Sequence, residues 1–268
     1  MQERFQLEGN AAAIYEAQKV PSIFTPLAAA TLSKVQVRPQ DHVIDLACGT
    51  GAVTRLLAKA LQPPKRIVGV DLNAGMIDVA RAIADDMAIA VEWFVGDAIA
   101  LPFADGEYDL AICQQGLQFF PDKTAALSEI QRVLVSGGRL VVSVWKEASP
   151  LFVAMADALR KHIGLDAAER SLAPFSFGDA DLIASLLAGA GFQDIGVETM
   201  TIDRVLGPAQ QSIPLEIDGS PIAPDVAAAG DSAKVHVITD TEAALAPYRR
   251  GDGFVIPQRT FLAQAVVP

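Results

Sequence analysis

Residues 43–54 constrain the fold more than any other stretch of this chain. A short apolar run leads to Asp45, glycines follow at positions 49 and 51, and a helical pattern begins at Arg55. This order is typical of a buried strand, a tight turn and a helix N-terminus, which together open a βαβ unit with a ligand site at the carboxyl edge of the sheet. The glycines allow a ligand to approach the main chain without an intervening Cβ atom.

A second acid narrows the class of ligand. Asp71 ends another apolar run, about twenty residues beyond Gly51, where nucleotide-binding α/β folds place the carboxylate that accepts from ribose hydroxyls. A dinucleotide fingerprint needs a third glycine, but this chain has Thr54 there, which disfavours a nicotinamide oxidoreductase. Asp45 would repel a pyrophosphate and instead suits a ligand that carries positive charge.

Residues 45–51, Asp-Leu-Ala-Cys-Gly-Thr-Gly, resemble motif I of the class I S-adenosylmethionine-dependent methyltransferases. Ala47 stands where that motif has glycine. Three further stretches resemble the later motifs in the family's order, at 71–76, 95–98, and 101–103 with 108–110. The resemblance covers roughly residues 43–146 and is greatest to the small-molecule branch near the ubiquinone/menaquinone-biosynthesis methyltransferases.

The resemblance implies an α/β fold: a doubly wound, Rossmann-like, mostly parallel sheet of seven strands whose last strand is antiparallel. We expect an N-terminal helical cap at 1–40 and a methyltransferase domain at 41–268, with an insertion at 207–258 between strands six and seven. The patterns predict strands at 42–46, 66–70, 91–95, 110–113, 139–145, 194–205 and 259–267. They predict helices at 51–61, 74–86, 123–134, 151–163 and 177–190, with a helical run near 241–248.

Composition limits the class of partner. The formal net charge is −11 among 268 residues, which argues against a nucleic-acid substrate because binding phosphates generally needs a basic surface. The N-terminus shows no signal peptide, and no stretch near it is long enough to span a bilayer. We therefore expect a cytoplasmic protein that binds neither membranes nor nucleic acid. We also expect its two cysteines to be reduced and no metal site, because the three histidines are scattered.

The cofactor implied by the resemblance is S-adenosylmethionine. Asp45 would attract its ammonium group, Asp71 would hold the ribose, and Asp97 would accept from the adenine amino group. Met76 would lie beside adenine, although a plain core position is the alternative. The full set of implied cofactor-binding residues is Asp45, Ala47, Cys48, Gly49, Gly51, Asp71, Leu72, Met76, Gly96, Asp97, Ala98 and Gln114.

The chemistry requires no nucleophile on the protein. The cofactor is a sulfonium whose methyl group is already activated, so the enzyme mainly aligns the reacting groups and excludes water, which can supply on the order of 7–11 kcal/mol. We predict no catalytic residue and identify no general base. The acceptor is expected to be a small, largely apolar metabolite methylated at O, C or N. The predicted acceptor contacts are Tyr15, Phe24, Gln115, Gln118 and Trp145.

Three questions remain open from the sequence. The chain is either an enzyme or a regulatory module that binds S-adenosylmethionine without transferring its methyl group. Tyr15 and Phe24 either line the site or only pack the N-terminal cap against the sheet. The prolines at 207–258 disfavour a second independent core and favour a lid that closes over the acceptor. The alternative for this insertion is packing against a second subunit in a homodimer.

Overall fold

The computed structural model describes residues 11–268, and the sheet within them confirms the predicted α/β fold. The sheet has eight strands in the described residues instead of the predicted seven, because the short β7 pairs with β8. The spatial order of the other strands is β3-β2-β1-β4-β5-β8-β6. In chain order the strands are β1 His42–Leu46, β2 Arg66–Asp71, β3 Glu92–Val95, β4 Tyr108–Gln114, β5 Leu134–Trp145, β6 Gln193–Leu206, β7 Arg249–Arg250 and β8 Gly253–Val266.

Strand β1 lies at the centre of the parallel part of the sheet. It pairs in parallel with β2 on one side and β4 on the other, so that Asp45 stands opposite Gly69 and Ile112. The carboxyl ends of these strands therefore meet at one edge, where parallel α/β sheets place their ligands. The final strand runs the other way: the Gly137 N–H donates to Val267 O, and the Lys146 N–H donates to Arg259 O. The predicted antiparallel last strand is confirmed.

The helices begin with α1 and α2, which are joined by a π-helical segment at Val20–Phe24. In chain order they are α1 Ala11–Lys19, α2 Thr25–Leu32, α3 Ala52–Ala58, α4 Ala74–Asp86, α5 Lys123–Val133, α6 Pro150–His162, α7 Leu165–Leu172, α8 Ala180–Gly189, α9 Ala209–Asp218, α10 Ala223–Ala229 and α11 Asp231–Ala244. The bounds of β1 and α4 match the predictions. Helix α4 starts where it does because the Asn73 side chain accepts from the N–H groups of Gly75 and Met76.

The chain divides into two compact units. The first contains the described residues up to Val144, with Asp179–Met200 and Phe261–Pro268. Its core includes apolar residues of the central strands, α2 and α3: Ala28, Val35, Val43, Val53, Leu57, Ile67, Leu110, Ile112, Val141 and Leu262. The second unit comprises Trp145–Gly178 and Thr201–Thr260. The predicted boundaries at 1–40, 41–268 and 207–258 stay a prediction, and residues 1–10 of that cap lie outside the described range.

The second unit corrects the expectation that prolines prevent an independent core at 207–258. Ile213, Ile217, Ile222 and Val237 are buried there together with apolar residues of α6. The segment holds three helices instead of a single run near 241–248. Proline is tolerated in the first turn of a helix because the N–H it lacks would have no helical partner there. Only Pro214 of α9 lies inside a helix in this segment.

Several other boundaries were predicted wrongly. Strand β8 begins at Gly253, not at position 259, and α3 ends at Ala58, not at position 61. Strand β5 begins at Leu134, not at position 139, and its pairing with β4 shifts register between Tyr108 and Leu110. The glycines at 137 and 138 therefore belong to an irregular strand instead of ending a helix. Helix α8 begins at Ala180 and not at position 177, because the Asp179 side chain caps it by accepting from the N–H groups of Asp181 and Leu182. Helix α7 was not predicted.

Every helix of the described part of the chain falls short of the length and apolar character that a membrane crossing requires.

Candidate functional site

A cavity lies at the carboxyl edge of β1, within the first unit. Its volume is about 310 Å³ including the part that opens to solvent. The residues that line it come from α1, the π-helical segment, the end of β1, the glycine loop and the end of β4: Tyr15, Val20, Phe24, Asp45, Ala47, Cys48, Gly49, Thr50, Ala52, Val53 and Gln114. Seven of the residues predicted for cofactor or acceptor contact are thus brought together: Tyr15, Phe24, Asp45, Ala47, Cys48, Gly49 and Gln114.

The two glycines of the loop serve different purposes. Both have left-handed backbone angles, with φ of 56° at Gly49 and 88° at Gly51. A Cβ atom at Gly49 would meet only the Tyr15 ring, 4.0 Å away, so this position leaves room on the cavity side. A Cβ atom at Gly51 would lie 2.5 Å from the Trp93 ring. Gly51 is therefore required by packing beneath the loop, and Gly49 leaves the space that a ligand needs.

Asp45 is the most unusual side chain of the cavity. It is 1% exposed, and neither carboxylate oxygen has a hydrogen-bond partner among residues 11–268. Burial raises the pKa of Asp45 well above its usual range, the backbone of Thr54 opposes the rise in part, and the charge of Asp71 adds to it. A buried carboxyl without a partner costs free energy. The site is therefore suited to a ligand that supplies a positive charge at Asp45.

Asp71, at the end of β2, organises the backbone beside the cavity. One of its oxygens accepts from the Gly49 N–H at 2.8 Å, and the other accepts from the Asn73 N–H at 2.8 Å. Burial raises the pKa of Asp71, and these two N–H groups oppose the rise. Each carboxylate oxygen can accept more than one hydrogen bond. Asp71 thus fixes the glycine loop while retaining acceptor capacity for ligand hydroxyls.

The N-terminal helices supply an aromatic wall. The rings of Tyr15 and Phe24 stack with centroids 5.2 Å apart. The Gln114 amide at the end of β4 donates to the Phe24 carbonyl at 3.2 Å, whereas its own Oε1 is buried and has no partner in the described chain. Burial raises the pKa of the Tyr15 phenol, as do the nearby carboxylates of Asp71 and Glu16. This wall is therefore apolar and electrically neutral, with one free acceptor atom beside it.

An ion pair ties α1 to the glycine loop. Glu16 accepts from the Arg55 guanidinium at 2.9 Å and from the Thr50 hydroxyl at 2.5 Å. Arg55 also donates to the Thr50 carbonyl at 2.6 Å. Sequence reasoning missed Glu16, Thr50 and Arg55. The available signal was a glutamate next to Tyr15 and an arginine in the first turn after the glycine loop, but nothing local shows that two residues 39 positions apart form a pair.

The remaining predicted cofactor residues do not line this cavity. Met76 is buried in α4, and the Gly96 N–H donates to the Asp71 carbonyl at 3.0 Å. Asp97 is partly exposed and accepts from the Ile99 N–H at 3.3 Å, while Ala98 is buried. Leu72 is half-buried next to Asp71. The assignment of Asp71, Leu72, Met76, Gly96, Asp97 and Ala98 to ribose and adenine stays a prediction, as does a cofactor contact at Gly51.

The other three predicted acceptor residues, Gln115, Gln118 and Trp145, do not line this cavity. Gln115 is buried, and its amide lies 3.4 Å from the Ser143 hydroxyl. Gln118 is half-buried in the 3₁₀ turn after β4. Trp145 belongs to the second unit, where its ring centroid is 6.2 Å from that of Phe175. Their contact with an acceptor stays a prediction.

The two cysteines near the cavity have low reactivity. Cys48 and Cys113 are both free and buried. Burial raises the pKa of Cys113 to about 12, and the charge of Asp45 contributes. A thiol with a raised pKa is a poor nucleophile and a poor metal ligand. Within residues 11–268, no group of three or more His, Cys, Asp or Glu side chains is arranged to hold a metal ion.

Comparison with known proteins identifies relatives. A family model described as a methyltransferase domain matches residues 43–138. The demethylmenaquinone methyltransferase of Lactiplantibacillus plantarum is 41% identical over 113 residues, which are 41% of this chain and 48% of that protein. The chain thus spans about half the length of that relative. The 2-phytyl-1,4-naphtoquinone methyltransferase of Synechococcus elongatus is 33% identical over 169 residues, 58% of this chain and 72% of that protein.

Solved structures agree on the fold. The YcgJ protein of Bacillus subtilis superposes with a TM-score of 0.60 at 18% identity, covering 90% of this chain and 97% of that one. Phosphoethanolamine N-methyltransferase 2 of Haemonchus contortus was solved with S-adenosylhomocysteine. It gives a TM-score of 0.60 at 20% identity, and the match covers 96% of this chain and 57% of that one. The chain belongs to the class I S-adenosylmethionine-dependent methyltransferases, and S-adenosylmethionine is its cofactor.

The cavity fits that cofactor. The unpartnered carboxyl of Asp45 suits an α-ammonium group, and the open face of Gly49 leaves the main chain accessible. The free Oε1 of Gln114 is a second unsatisfied acceptor in the same cavity. Asp45 and Gln114 thus present unsatisfied acceptor atoms to the same cavity, where the donor groups of a polar ligand can pair with them.

Proposed function

We propose that this chain transfers a methyl group from S-adenosylmethionine to a small, largely apolar acceptor of the quinone type. The observation that carries the proposal is the buried, unpartnered carboxyl of Asp45 in a cavity beside a glycine loop. The relatives support the acceptor class, because one is named a demethylmenaquinone methyltransferase and the other a 2-phytyl-1,4-naphtoquinone methyltransferase. As further support, a matched Burkholderia mallei protein, 35% identical over 120 residues, is named a C-methyltransferase. We therefore propose a ring carbon as the accepting atom.

The cofactor, when bound, supplies an activated methyl group on a positively charged sulfur. The protein's part is to bind, orient and keep water out. Asp45 would hold the ammonium group and Asp71 the ribose hydroxyls, while the main chain at positions 47–49 faces the methionine portion. Because Asp71 also fixes Gly49, one carboxylate would position both the ligand and the loop that receives it.

The apolar wall supports the proposal of a flat acceptor. The Tyr15 and Phe24 rings are stacked and present aromatic surface to the cavity. Aromatic rings pack favourably with one another beyond the area that they bury. We propose that this wall contacts the acceptor ring and that Gln118 orients one of its oxygens. A reduced quinone is a phenol, whose ring carbon becomes nucleophilic as the hydroxyl loses its proton, so no nucleophile on the protein is required.

The proposal is tested by offering the protein methyl-labelled S-adenosylmethionine with a panel of reduced naphthoquinones, benzoquinones, simple phenols and amines. We expect label in the naphthoquinone products, located on a ring carbon by mass spectrometry and NMR. Binding of the cofactor without transfer to any acceptor would instead identify a regulatory module. Label in amines alone would overturn the acceptor class while leaving the methyltransferase assignment intact. We further propose a cytoplasmic location, to be checked by fractionation.

A further inference from the structure

The loops that follow β1 and β4 contain two residues in unusual backbone conformations. Ala47 has φ of 51° and Gln115 has φ of 57°, although neither is glycine. The left-handed region costs a residue with a Cβ atom about 1–2 kcal/mol. Strained residues that persist often lie at functional sites, where the surroundings hold them in place. Ala47 lines the cavity, and Gln115 follows the cavity residue Gln114.

Gly116 meets Ala47 across the gap between these loops. A Cβ atom at Gly116 would lie 2.5 Å from the Ala47 Cβ and 2.8 Å from the Cys113 sulfur. Gly116 itself has φ of −97°, which any residue adopts, so its backbone does not require glycine. The space beside it is filled chiefly by the Ala47 methyl group, and the Cys113 sulfur borders the same space. Only one of the two positions can carry a side chain.

Each loop is also anchored on the side away from this contact. The Cys48 N–H donates to Val70 O of β2 at 3.1 Å, and the Gln115 N–H donates to Ser143 O of β5 at 2.8 Å. Strands β1 and β4 lie side by side between those anchors. With the outer sides fixed, the contact of Ala47 with Gly116 determines how closely the two loops approach. Asp45 stands on one side of that gap and Gln114 on the other.

We propose that Ala47 and Gly116 are positioning residues, a complementary pair that sets the separation of the two loops and thereby the spacing of Asp45 and Gln114 around the cofactor. The proposal rests on the cofactor site described above. It also accounts for the departure of Ala47 from the glycine of the family motif. The methyl group acts as a spacer that glycine would not provide, and Gly116 supplies the space.

The test is a cycle of three variants, Ala47→Gly, Gly116→Ala and the double substitution, measured by calorimetric titration with S-adenosylhomocysteine and by thermal unfolding without ligand. Gly116→Ala should weaken binding at least about tenfold, and the double variant should recover most of that loss, because contacting residues couple. Ala47→Gly should weaken binding several-fold while its unfolding temperature stays level or rises. A merely structural role would not separate affinity from stability in this way.

Two control variants match the chemical changes at a distance from the cavity. Ala88 has φ of 52° and is exposed, so Ala88→Gly should relieve the same strain without altering affinity. Gly196 has open space around it, so Gly196→Ala should be silent. Equal affinities for Ala47→Gly and wild type, or losses that simply add in the double variant, would overturn the proposal. If Gly116→Ala fails to fold, a folded double variant that binds supports the proposal and an unfolded one overturns it. Failure of the wild type to bind would count against the cofactor site itself.

Discussion

Replacing Glu16 with glutamine tests whether α1 is part of the cofactor site. The substitution keeps the shape of the side chain and removes the charge that pairs with Arg55. The side chains of Glu16 and Arg55 are 23% and 11% exposed. Exposed pairs are worth about 0–1 kcal/mol, and removing one partner of a fully buried pair costs about 3–5 kcal/mol. The burial of this pair is intermediate between those two cases, and glutamine can still accept from the Thr50 hydroxyl.

We therefore expect a loss of about 1–2 kcal/mol, equivalent to a factor of about 5–30 in an equilibrium constant. The loss should appear in cofactor binding, because Tyr15 also borders Gly49 of the cofactor loop, and apparent affinity falls with the fraction of molecules in which α1 is held against the cavity. Calorimetric titration with S-adenosylhomocysteine measures it. Since salt screens partly exposed charges, raising the ionic strength should weaken binding to the wild type more than to Glu16→Gln.

Glu107→Gln provides a matched control. Glu107 pairs with Arg66, with side chains 27% and 25% exposed, near the start of β4 and so at the opposite edge of the sheet. Because Arg66 keeps its second carboxylate partner, Glu92, this variant should lose at most a similar amount of stability, and it should not lose cofactor affinity. An unchanged affinity in folded Glu16→Gln, or an equal loss in Glu107→Gln, would refute the idea that this ion pair holds the aromatic wall in place.

Two further predictions concern buried charges. Because the raised pKa of Asp45 makes the folded chain bind a proton more tightly than the unfolded chain, stability of the cofactor-free protein should fall as pH rises from the usual aspartate range through the raised pKa. At neutral pH, Asp45→Asn should then be more stable than wild type by about 1–3 kcal/mol, and in acid the two proteins should have the same stability. If the thermal stability of the variant equals that of wild type at neutral pH as well as in acid, the prediction is wrong. In the second unit, Glu216 forms an ion pair with Arg204 at 5% and 2% exposure, and Glu216→Gln should cost about 3–5 kcal/mol in denaturant unfolding. The exposed Glu198, paired with Lys34, should tolerate glutamine, and similar losses in both variants would show that burial is not the cause.

The sequence predicted the parallel half of the sheet well because its signals are local. Strand β1 and helix α4 are each bounded by their own chemistry, an apolar run ending in Asp45 and a capping side chain at Asn73. The resemblance to the family motifs pointed to Asp45, Ala47, Cys48, Gly49 and Gln114, which the fold brings to one cavity because parallel strands end at the same edge.

The errors arose where distant residues decide the structure. The start of β5 depends on the pairing of Gly137 with Val267, and nothing in the residues 134–138 distinguishes an irregular strand from the end of a helix. The prediction that residues 207–258 form no second core rested on their prolines. Burial of Ile213, Ile217 and Val237 with residues of α6, from an earlier part of the chain, produces a second core that local patterns do not reveal.

The site was incomplete for the same reason. The pair of Glu16 with Arg55 joins residues 39 positions apart, and the contact of Ala47 with Gly116 crosses two loops. Single-sequence reasoning identified Ala47 as a departure from the family motif. It gave no partner for the methyl group, because the strand order that brings β1 beside β4 is a property of the folded sheet.

The central claim is that the buried carboxyl of Asp45 receives the α-ammonium group of the cofactor. The most direct measurement compares, by calorimetric titration of the wild-type protein, S-adenosylhomocysteine with an analogue that lacks only this ammonium group. A hydrogen bond between charged groups is worth about 1.5–3 kcal/mol, so we predict that the analogue binds about 10- to 150-fold more weakly. Equal affinity for the two ligands would contradict the claim and would show that the cofactor is held elsewhere.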